Sequence, residues 1–410
     1  MKPILNAALR EIKPTPAEEK EVKKRISGVV SQIQKLLPET KVLLGGSGEK
    51  GTWLRNAHDA DIFVQFPKGS TGLSDILERK LAKSFKLDRL HGSRDYFQTR
   101  INEFLFEIVP IIAIKKAEEA ENITDVSPLH AKWVKKHAKL ADDIRLAKQF
   151  FKAAGAYGAE SHISGFSGYM CEVLTVYYKG FRKLVKGITS WKSGAGAKTI
   201  VDVEKAHAGK NILFELDKSK TVGPLIVVDP VQPSRNAAAA VSLEKYLKVI
   251  GYAKKFLARP SKEAFTIHPL EKSLVRKKAG NDDLFFFEAA PLIGKIDVVG
   301  CKLLKVYEHV LQGLLKRGFT VKESGWEWKG NARFYFIVKK ETLSPELIVR
   351  GPPSSMMGPA EAFRKAHRDT FEKDKTWYAR EKRAFRTAAS LVSSLLQEQY
   401  VQERVKRVLP

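Results

Sequence analysis

Apolar residues recur along this chain at two different spacings. Ile26, Val29, Val30, Ile33 and Leu36-Leu37 follow one another at three- and four-residue steps, which predicts an amphipathic helix. Thr15-Pro16-Ala17-Glu18 lies ahead of them. It supplies a capping hydroxyl, a proline suited to the first helical position and a glutamate that closes a capping box; Pro38 ends the run. Lys41 to Leu44 and Asp59 to Phe66 then read as short strands on either side of Gly45-Gly46-Ser47. Leu73 to Phe85 reads as a helix, and Tyr96 to Thr99 and Glu103 to Ile112 as further strands. Helix, strand, turn, strand, helix, strands is a mixed arrangement that reaches to about residue 145.

From Asp142 to about Val185 the spacing is helical. Ile144, Leu146, Ala147, Phe150 and Phe151 supply one face, Gly155 and Gly158 interrupt it, and Ser167 to Leu184 resumes it. A loop rich in Lys, Gly and Ser is expected from Lys186 to Lys198, a strand from Leu225 to Val228, and a long helix from Ala237 to Phe256. Ala258-Arg259-Pro260-Ser261 reads as a domain boundary. Beyond it come a strand at Leu284 to Phe287 and a helix from Val298 to Lys316. A hairpin of Phe319 to Trp328 and Phe334 to Val338 turns at Gly330-Asn331. Arg350-Gly351-Pro352-Pro353 reads as a break, and Glu361 to Val408 as a basic helical stretch. The expected division is 1–145, a mainly helical 146–258, and 259–410, an α+β body with a basic helical tail.

Charge changes this picture. The 410 residues carry 72 Lys+Arg against 46 Asp+Glu, a formal net charge of +26. Such an excess is met by a polyanion or spread over a large surface, so nucleic acid is the first candidate partner and an anionic membrane surface the second. The competing reading is a lysine-rich solvated surface. A hydrophobic content of 43% excludes a wholly disordered chain. Two distant cysteines, Cys171 and Cys301, exclude a disulfide framework and a cysteine-based zinc site. No run of about 18 uncharged apolar residues occurs and the first residues lack the apolar core of a signal peptide, so a cytoplasmic, reduced setting is expected.

Candidate chemistry concentrates between Gly45 and Val64. Asp59 and Asp61, two apart on a strand, point to one face, where their mutual repulsion favours a hard divalent cation between them. Gly45-Gly46-Ser47 offers backbone N–H groups and a hydroxyl without bulk, which suits a triphosphate, and Lys50 adds counter-charge. A third acid is expected on a neighbouring strand. Glu107, set in Phe104-Leu105-Phe106-Glu107-Ile108-Val109, is oddly placed for a solvated charge; Glu103 has the same parity and is the fallback.

These residues resemble the nucleotidyltransferases of the DNA polymerase β superfamily, and more closely the archaeal, class I CCA-adding enzymes (tRNA nucleotidyltransferases). The likeness is carried by Gly46-Ser47, Lys50-Gly51-Thr52, Arg55-Asn56 and His58-Asp59-Ala60-Asp61-Ile62-Phe63-Val64. It continues through Ser127-Pro128-Leu129-His130, Arg145-Leu146-Ala147-Lys148, Ala156-Tyr157-Gly158-Ala159-Glu160, Gly165-Phe166-Ser167-Gly168-Tyr169, Asp229-Pro230 and Ser234-Arg235-Asn236. The resemblance implies a polymerase-β-type palm in residues 1–145, a nucleotide-binding middle domain, and two Mg²⁺ held by Asp59, Asp61 and Glu107. It implies phosphate contacts from Gly46, Ser47 and Lys50, nucleotide contacts from His130, Lys148 and Tyr157, and reading of the base edge of CTP or ATP by Arg235. Asp59 stands where some relatives carry Glu, and Glu107 where the family pattern has Asp. The reaction implied is untemplated addition of C, C and A to tRNA. A poly(A) polymerase or other RNA-tailing relative, and a non-catalytic RNA binder, stay open as alternatives, as does a homodimer. The tRNA grip is expected in the basic C-terminal part: Lys254 to Lys278 with Lys277 and Lys278, Arg350, and a helix from Arg364 to Arg386 carrying Arg380 and Arg383. Trp326, Trp328, Trp377 and Tyr378 are read as packing rather than stacking on bases.

Overall fold

A computed structural model describes residues 1–194 and 196–409. The chain divides into two compact units, Met1–His268 and Pro269–Pro410.

The first unit opens with α1 (Lys2–Ile12) and α2 (Pro16–Leu36). At the head of α2 the capping box forms: Glu18 N–H donates to Thr15 Oγ1 at 3.3 Å, and Thr15 N–H to the Glu18 carboxylate at 2.7 Å. There follow β1 (Lys41–Leu44), α3 (Gly46–Lys50), β2 (Asp59–Phe66), α4 (Leu73–Leu81), β3 (Asp88–Leu90), β4 (Tyr96–Ile101) and β5 (Phe104–Ile112). The strands make one sheet in the order β1-β2-β5-β4-β3, with β2 and β5 parallel and the other neighbours antiparallel.

Alternation fixes which side chains face which way. Ala60, Ile62, Val64 and Phe66 of β2, with Phe104, Phe106 and Ile108 of β5, are buried beneath Ile26, Val29 and Ile33 of α2 and Leu73, Leu77 and Leu81 of α4. The odd-numbered positions of both strands therefore lie on the other face, away from the helices.

The rest of this unit is mainly helical: α5 (Ser127–Lys135), α6 (Ala141–Ala153), α7 (Gly168–Tyr177), α8 (Phe181–Thr189), β6 (Thr199–Asp202), α9 (Ile212–Glu215), β7 (Leu225–Val228) and α10 (Leu243–Ala258). Phe150, Phe151, Phe166, Phe181, Tyr246 and Phe256 build its core. The single helical run expected from Ser167 splits into α7 and α8 at Lys179-Gly180, both at positive φ. α8 takes the first residues of the expected 186–198 loop, and Ala195 of that loop lies outside the described residues. The helix expected from Ala237 starts only at Leu243, capped by Ser242 Oγ. Before it, Asn236 Oδ1 accepts from the N–H groups of Val227 and Ala238 and holds the chain in turns. Residues 259–268 pack into this unit: Phe265 is buried against Phe150, Phe181 and Phe256, and its carbonyl accepts from Gln149. α1, a helix that the spacing of apolar residues did not predict, packs Leu5, Ala8 and Ile12 into the same core, and Glu11 pairs with Lys262 at 2.6 Å.

The second unit runs α11 (Lys272–Ala279), β8 (Asp283–Ala290), α12 (Ile296–Lys316), β9 (Val321–Lys329), β10 (Asn331–Val338), β11 (Glu346–Pro353), α13 (Met357–Ala366), β12 (Asp369–Lys373), β13 (Thr376–Lys382), α14 (Ala388–Gln397), α15 (Gln399–Gln402) and β14 (Arg407–Leu409). One sheet is ordered β14-β8-β10-β9 and packs on α12 and α14; a second is ordered β11-β13-β12. Two expectations are corrected here. Arg350-Gly351-Pro352-Pro353 does not break the chain but ends β11. The basic helix expected through 361–408 is interrupted by β12 and β13, so Arg380 lies on a strand and Arg383 just beyond it. Asp374 and Lys375, at φ 49° and 55°, form the two-residue turn that pairs Lys373 with Thr376, and Phe371, Trp377 and Tyr378 prefer the pleated surface.

Candidate active site

The turn from β1 into α3 brings backbone against the exposed face of β2. Gly45 N–H donates to the Asp61 carbonyl at 2.7 Å. A Cβ on Gly46, whose φ is +54°, would lie 1.6 Å from Asp61 Oδ2, and one on Gly45 would lie 2.2 Å from the Phe63 ring. No side chain fits at either position, which accounts for the paired glycines. Ser47 is half-buried in α3.

Asp59 and Asp61 occupy odd positions of β2, on the face away from the helices. The parallel register sets Asp61 directly beside Glu107 of β5, so all three carboxylates share that face. Glu103 is exposed in the turn before β5, at φ 63°. Burial, with the neighbouring Glu107 and Asp59 charges adding, pushes the Asp61 carboxyl up to about 6; Lys50 opposes this. Burial also raises Glu107, against the hydrogen bond that Gln98 Nε2 donates to it at 2.7 Å. As the side chains stand, no three acidic, His or Cys groups converge at ligating distance among the described residues. The donor set, three oxygen ligands that repel one another on one face, fits a hard divalent cation.

Lys50 and Lys148 meet on a residue that the sequence reading did not single out. Glu172 of α7, 1% exposed, takes Lys50 Nζ at 2.9 Å on one oxygen and Lys148 Nζ at 2.7 Å on the other. Thr52 Oγ1 donates to the same carboxylate at 2.7 Å and accepts from Lys148 at 2.8 Å. Burial alone would raise this acid, but the Lys148 and Lys50 ammonium groups hold it down at about 2. Its signal was there to read: a lone acid in Gly168-Tyr169-Met170-Cys171-Glu172-Val173-Leu174 is as anomalous as Glu107 in its strand.

A second buried carboxylate, Asp229 after β7, gathers the base-side candidates. His130 Nε2 lies 3.0 Å from Oδ2, Arg235 donates to the same oxygen at 2.7 Å, and Tyr169 Oη donates to Oδ1 at 3.0 Å. Burial raises this acid too, and the His130 hydrogen bond and charge bring it well below the usual carboxylate range. The His130 and Tyr169 rings are 4.2 Å apart, and Lys50 Nζ lies 5.1 Å over the Tyr169 ring, which ties the two clusters together. Tyr157 is half-buried; a Cβ on Gly168 would meet its hydroxyl at 2.7 Å, and Lys148 Cε is nearby.

The basic stretch expected to grip tRNA starts in the first unit, at Lys254 on α10, while the individually named contacts lie in the second. Lys277 and Lys278 are exposed on α11, Lys278 pairing with Glu323 at 2.9 Å. Arg350 is exposed on β11 opposite Tyr378. Arg380 is exposed on β13, over the Phe371 ring at 4.7 Å. Arg383 is half-buried, donates to the Arg317 carbonyl at 3.0 Å, and leaves its Nε buried without a partner. Trp326 and Trp328 pack against the core of this unit.

Comparison with known proteins fits this layout. Residues 23–130 match the nucleotidyltransferase domain family, and residues 142–266 the second domain of tRNA nucleotidyltransferases. The CCA-adding enzyme of Methanosarcina mazei is 32% identical over 87% of this chain and 80% of its own length. That of Pyrobaculum aerophilum is 30% identical over 85% and 82%. That of Nanoarchaeum equitans is 41% identical over 60% of this chain, which spans 62% of that relative's length. Among solved structures, a cytoplasmic RNA terminal U-transferase superposes with a TM-score of 0.52 at 15% identity, over 66% of this chain and 100% of that one. Cid1 gives 0.52 at 16%, over 65% and 98%. These structures share the fold alone. With three carboxylates on one face of a polymerase-β-type sheet and relatives of one kind along most of its length, the chain belongs to the archaeal CCA-adding enzymes, the tRNA nucleotidyltransferases.

Proposed function

We propose that the face carrying Asp59, Asp61 and Glu107 is where this chain adds C, C and A to the 3′ end of tRNA from CTP and ATP, releasing pyrophosphate, with two Mg²⁺ held by those three carboxylates. The observation that carries this reading is the parallel register that sets Asp61 beside Glu107 on the face of Asp59. The ions, when bound, supply a more acidic 3′-hydroxyl and charge neutralisation on the triphosphate. The chain's own residues do the rest. Gly46 and Ser47 bring unhindered backbone to the triphosphate; Lys50, Lys148 and Tyr157 bind it, with Glu172 fixing where both ammonium groups sit. Asp229 holds Arg235 and His130 in one orientation against the base, so they read it without reorganising on binding. The second unit grips tRNA through Lys277, Lys278, Arg350, Arg380 and Arg383, reading shape and backbone. A cytoplasmic setting follows from these substrates. The homodimer is carried forward as a proposal that light scattering decides: a mass twice that of the chain supports it, a single-chain mass removes it.

The reading is tested with a tRNA transcript lacking CCA and each nucleoside triphosphate supplied separately. Two C residues and then a single A are expected; a run of U or A would make the chain a tailing enzyme instead. Asp59→Ala and Asp61→Ala should abolish addition of both nucleotides while tRNA binding survives, since loss of such a group typically costs several kcal/mol of transition-state stabilisation. Glu107→Gln should cripple the chemical step and Glu103→Gln should not; the reverse pattern names the wrong third acid.

A further inference from the structure

The cations around this site are nearly all neutralised within the protein. Lys50 and Lys148 share Glu172, and Arg235 lies on Asp229. Lys135 pairs with Glu49 at 2.6 Å. Arg145 donates to the Gly51 and Trp53 carbonyls and to Asp142. Lys152 is different. It stands one helical turn beyond Lys148 on α6, half-buried, with its Nζ 4.9 Å over the Tyr157 ring. Among the described residues it makes no ion pair and no hydrogen bond with another protein group.

A half-buried ammonium with only a ring face for company has lost hydration without gaining a counter-ion. Burial accordingly lowers its pKa, Lys148 adds to that, and the Asp59 carboxylate opposes it. The Asp59 influence also gives a direction: the ammonium lies within electrostatic reach of the catalytic face. Lys148 precedes it by one turn and Tyr157 lies beneath it, both on the proposed path of the triphosphate. The anion that completes this arrangement is a phosphate.

We infer that Lys152 is a phosphate-binding residue of the active site, contacting the β- and γ-phosphates of the incoming nucleotide and the pyrophosphate that leaves. This rests on the assignment of the carboxylate face proposed above. It deepens that assignment by naming the cation left free when Glu172 occupies the other two. Tyr157 acts here as a support, its ring holding the lysine stem and its ammonium toward the phosphates.

Lys152→Met keeps the stem over Tyr157 and removes only the charge; Lys152→Arg restores charge in another shape. With the full chain and a tRNA lacking its last nucleotides, Lys152→Met should raise the KM for CTP and for ATP roughly tenfold, as expected for one charge-assisted contact to phosphate. It should weaken product inhibition by pyrophosphate by a similar factor and leave the tRNA KM within about twofold, with Lys152→Arg recovering most of the loss. Melting temperature and tRNA binding report that the variants are folded, and Lys152→Gln stands in if the methionine variant is not. Unchanged nucleotide KM and pyrophosphate inhibition would overturn the inference. So would an increase confined to the tRNA KM, which would place the lysine on the RNA backbone. Asp61→Ala run in parallel separates the levels: if it stays active, the site assignment itself fails; if it is dead while Lys152→Met is normal, only the lysine was misassigned.

Discussion

At the scale of single residues, the site is organised around three buried or half-buried acids with different work. Asp61 is pushed up by burial and by its acidic neighbours and wants a cation; Glu172 and Asp229 are held down by cations they already have. Removing the Glu172 charge leaves two ammonium groups without their shared partner. Glu172→Gln should destabilise the fold at neutral pH by about 3–5 kcal/mol, the usual penalty for breaking a buried ion pair. The sign with pH follows from a folded pKa of about 2 against an ordinary value of 4.5. The native advantage is full above 4.5 and fades as pH falls toward 2. Thermal melts of both proteins from pH 7 to pH 3 should therefore converge on the acid side; a constant gap would mean that the carboxylate is not paired in solution. Asp59 and Asp61 were legible because two acids two apart on a strand repel one another without a cation, and Glu107 because an acid in a strand among apolar neighbours is anomalous. Glu172 carried the same signal on a helix, but its partners come from two distant segments, Lys50 with Thr52 and Lys148, that no local pattern brings together. Lys148 was legible only through the family likeness, since a lysine on a helix is ordinarily solvated.

At the scale of elements, the short strands β1, β2 and β7 were readable to the residue, because alternation or a dense β-branched run leaves little choice of period. The β1–α3 turn was readable too, and its tolerance is narrow. Gly46→Ala places a methyl 1.6 Å from Asp61 Oδ2 at a φ of +54°. It should lower turnover at least a hundredfold while the rest of the unit still folds, as circular dichroism and tRNA binding would report; near-normal turnover would show that the turn relaxes and the cradle is not needed. What failed was the basic tail. Lys and Arg are good helix formers, and residues 361–408 are rich in them, but β12 and β13 are decided by a two-residue turn at positive φ and by aromatic cross-strand pairs such as Phe371 with Tyr378. Composition counted over a long window hid a seven-residue strand.

At the scale of the whole molecule, the +26 charge remains the strongest single indication of a polyanionic partner. tRNA affinity should fall steeply with salt, with a log–log slope of about 0.7 to 0.9 per phosphate neutralised. Reversing Lys277 and Lys278, or Arg380 with Arg350, should raise the tRNA KM and flatten that slope while turnover at saturating tRNA holds. Lost turnover with an unchanged slope would reduce this charge to solvated surface. Arg383 is less suitable for this test, because its bond to the Arg317 carbonyl gives it a structural share. Chain organisation was only partly legible. Pro260 looked like a boundary because proline ends a helix, yet Phe265 carries the first unit on to His268.

That same closure bears on how the chain is made. α1 buries Leu5, Ala8 and Ile12 against α6 and against the turn at 262–265, where Glu11 meets Lys262. The residues of α1 thus have their last partner among residues translated some 250 positions later. At about 5–20 residues per second this is a wait of roughly 13–50 s, during which an amphipathic helix stays unclosed. The five-stranded sheet, complete by Ile112, has all its strands long before then. Synthesis therefore orders assembly within the first unit: the five-stranded sheet can form early, and α1 is sealed in afterwards.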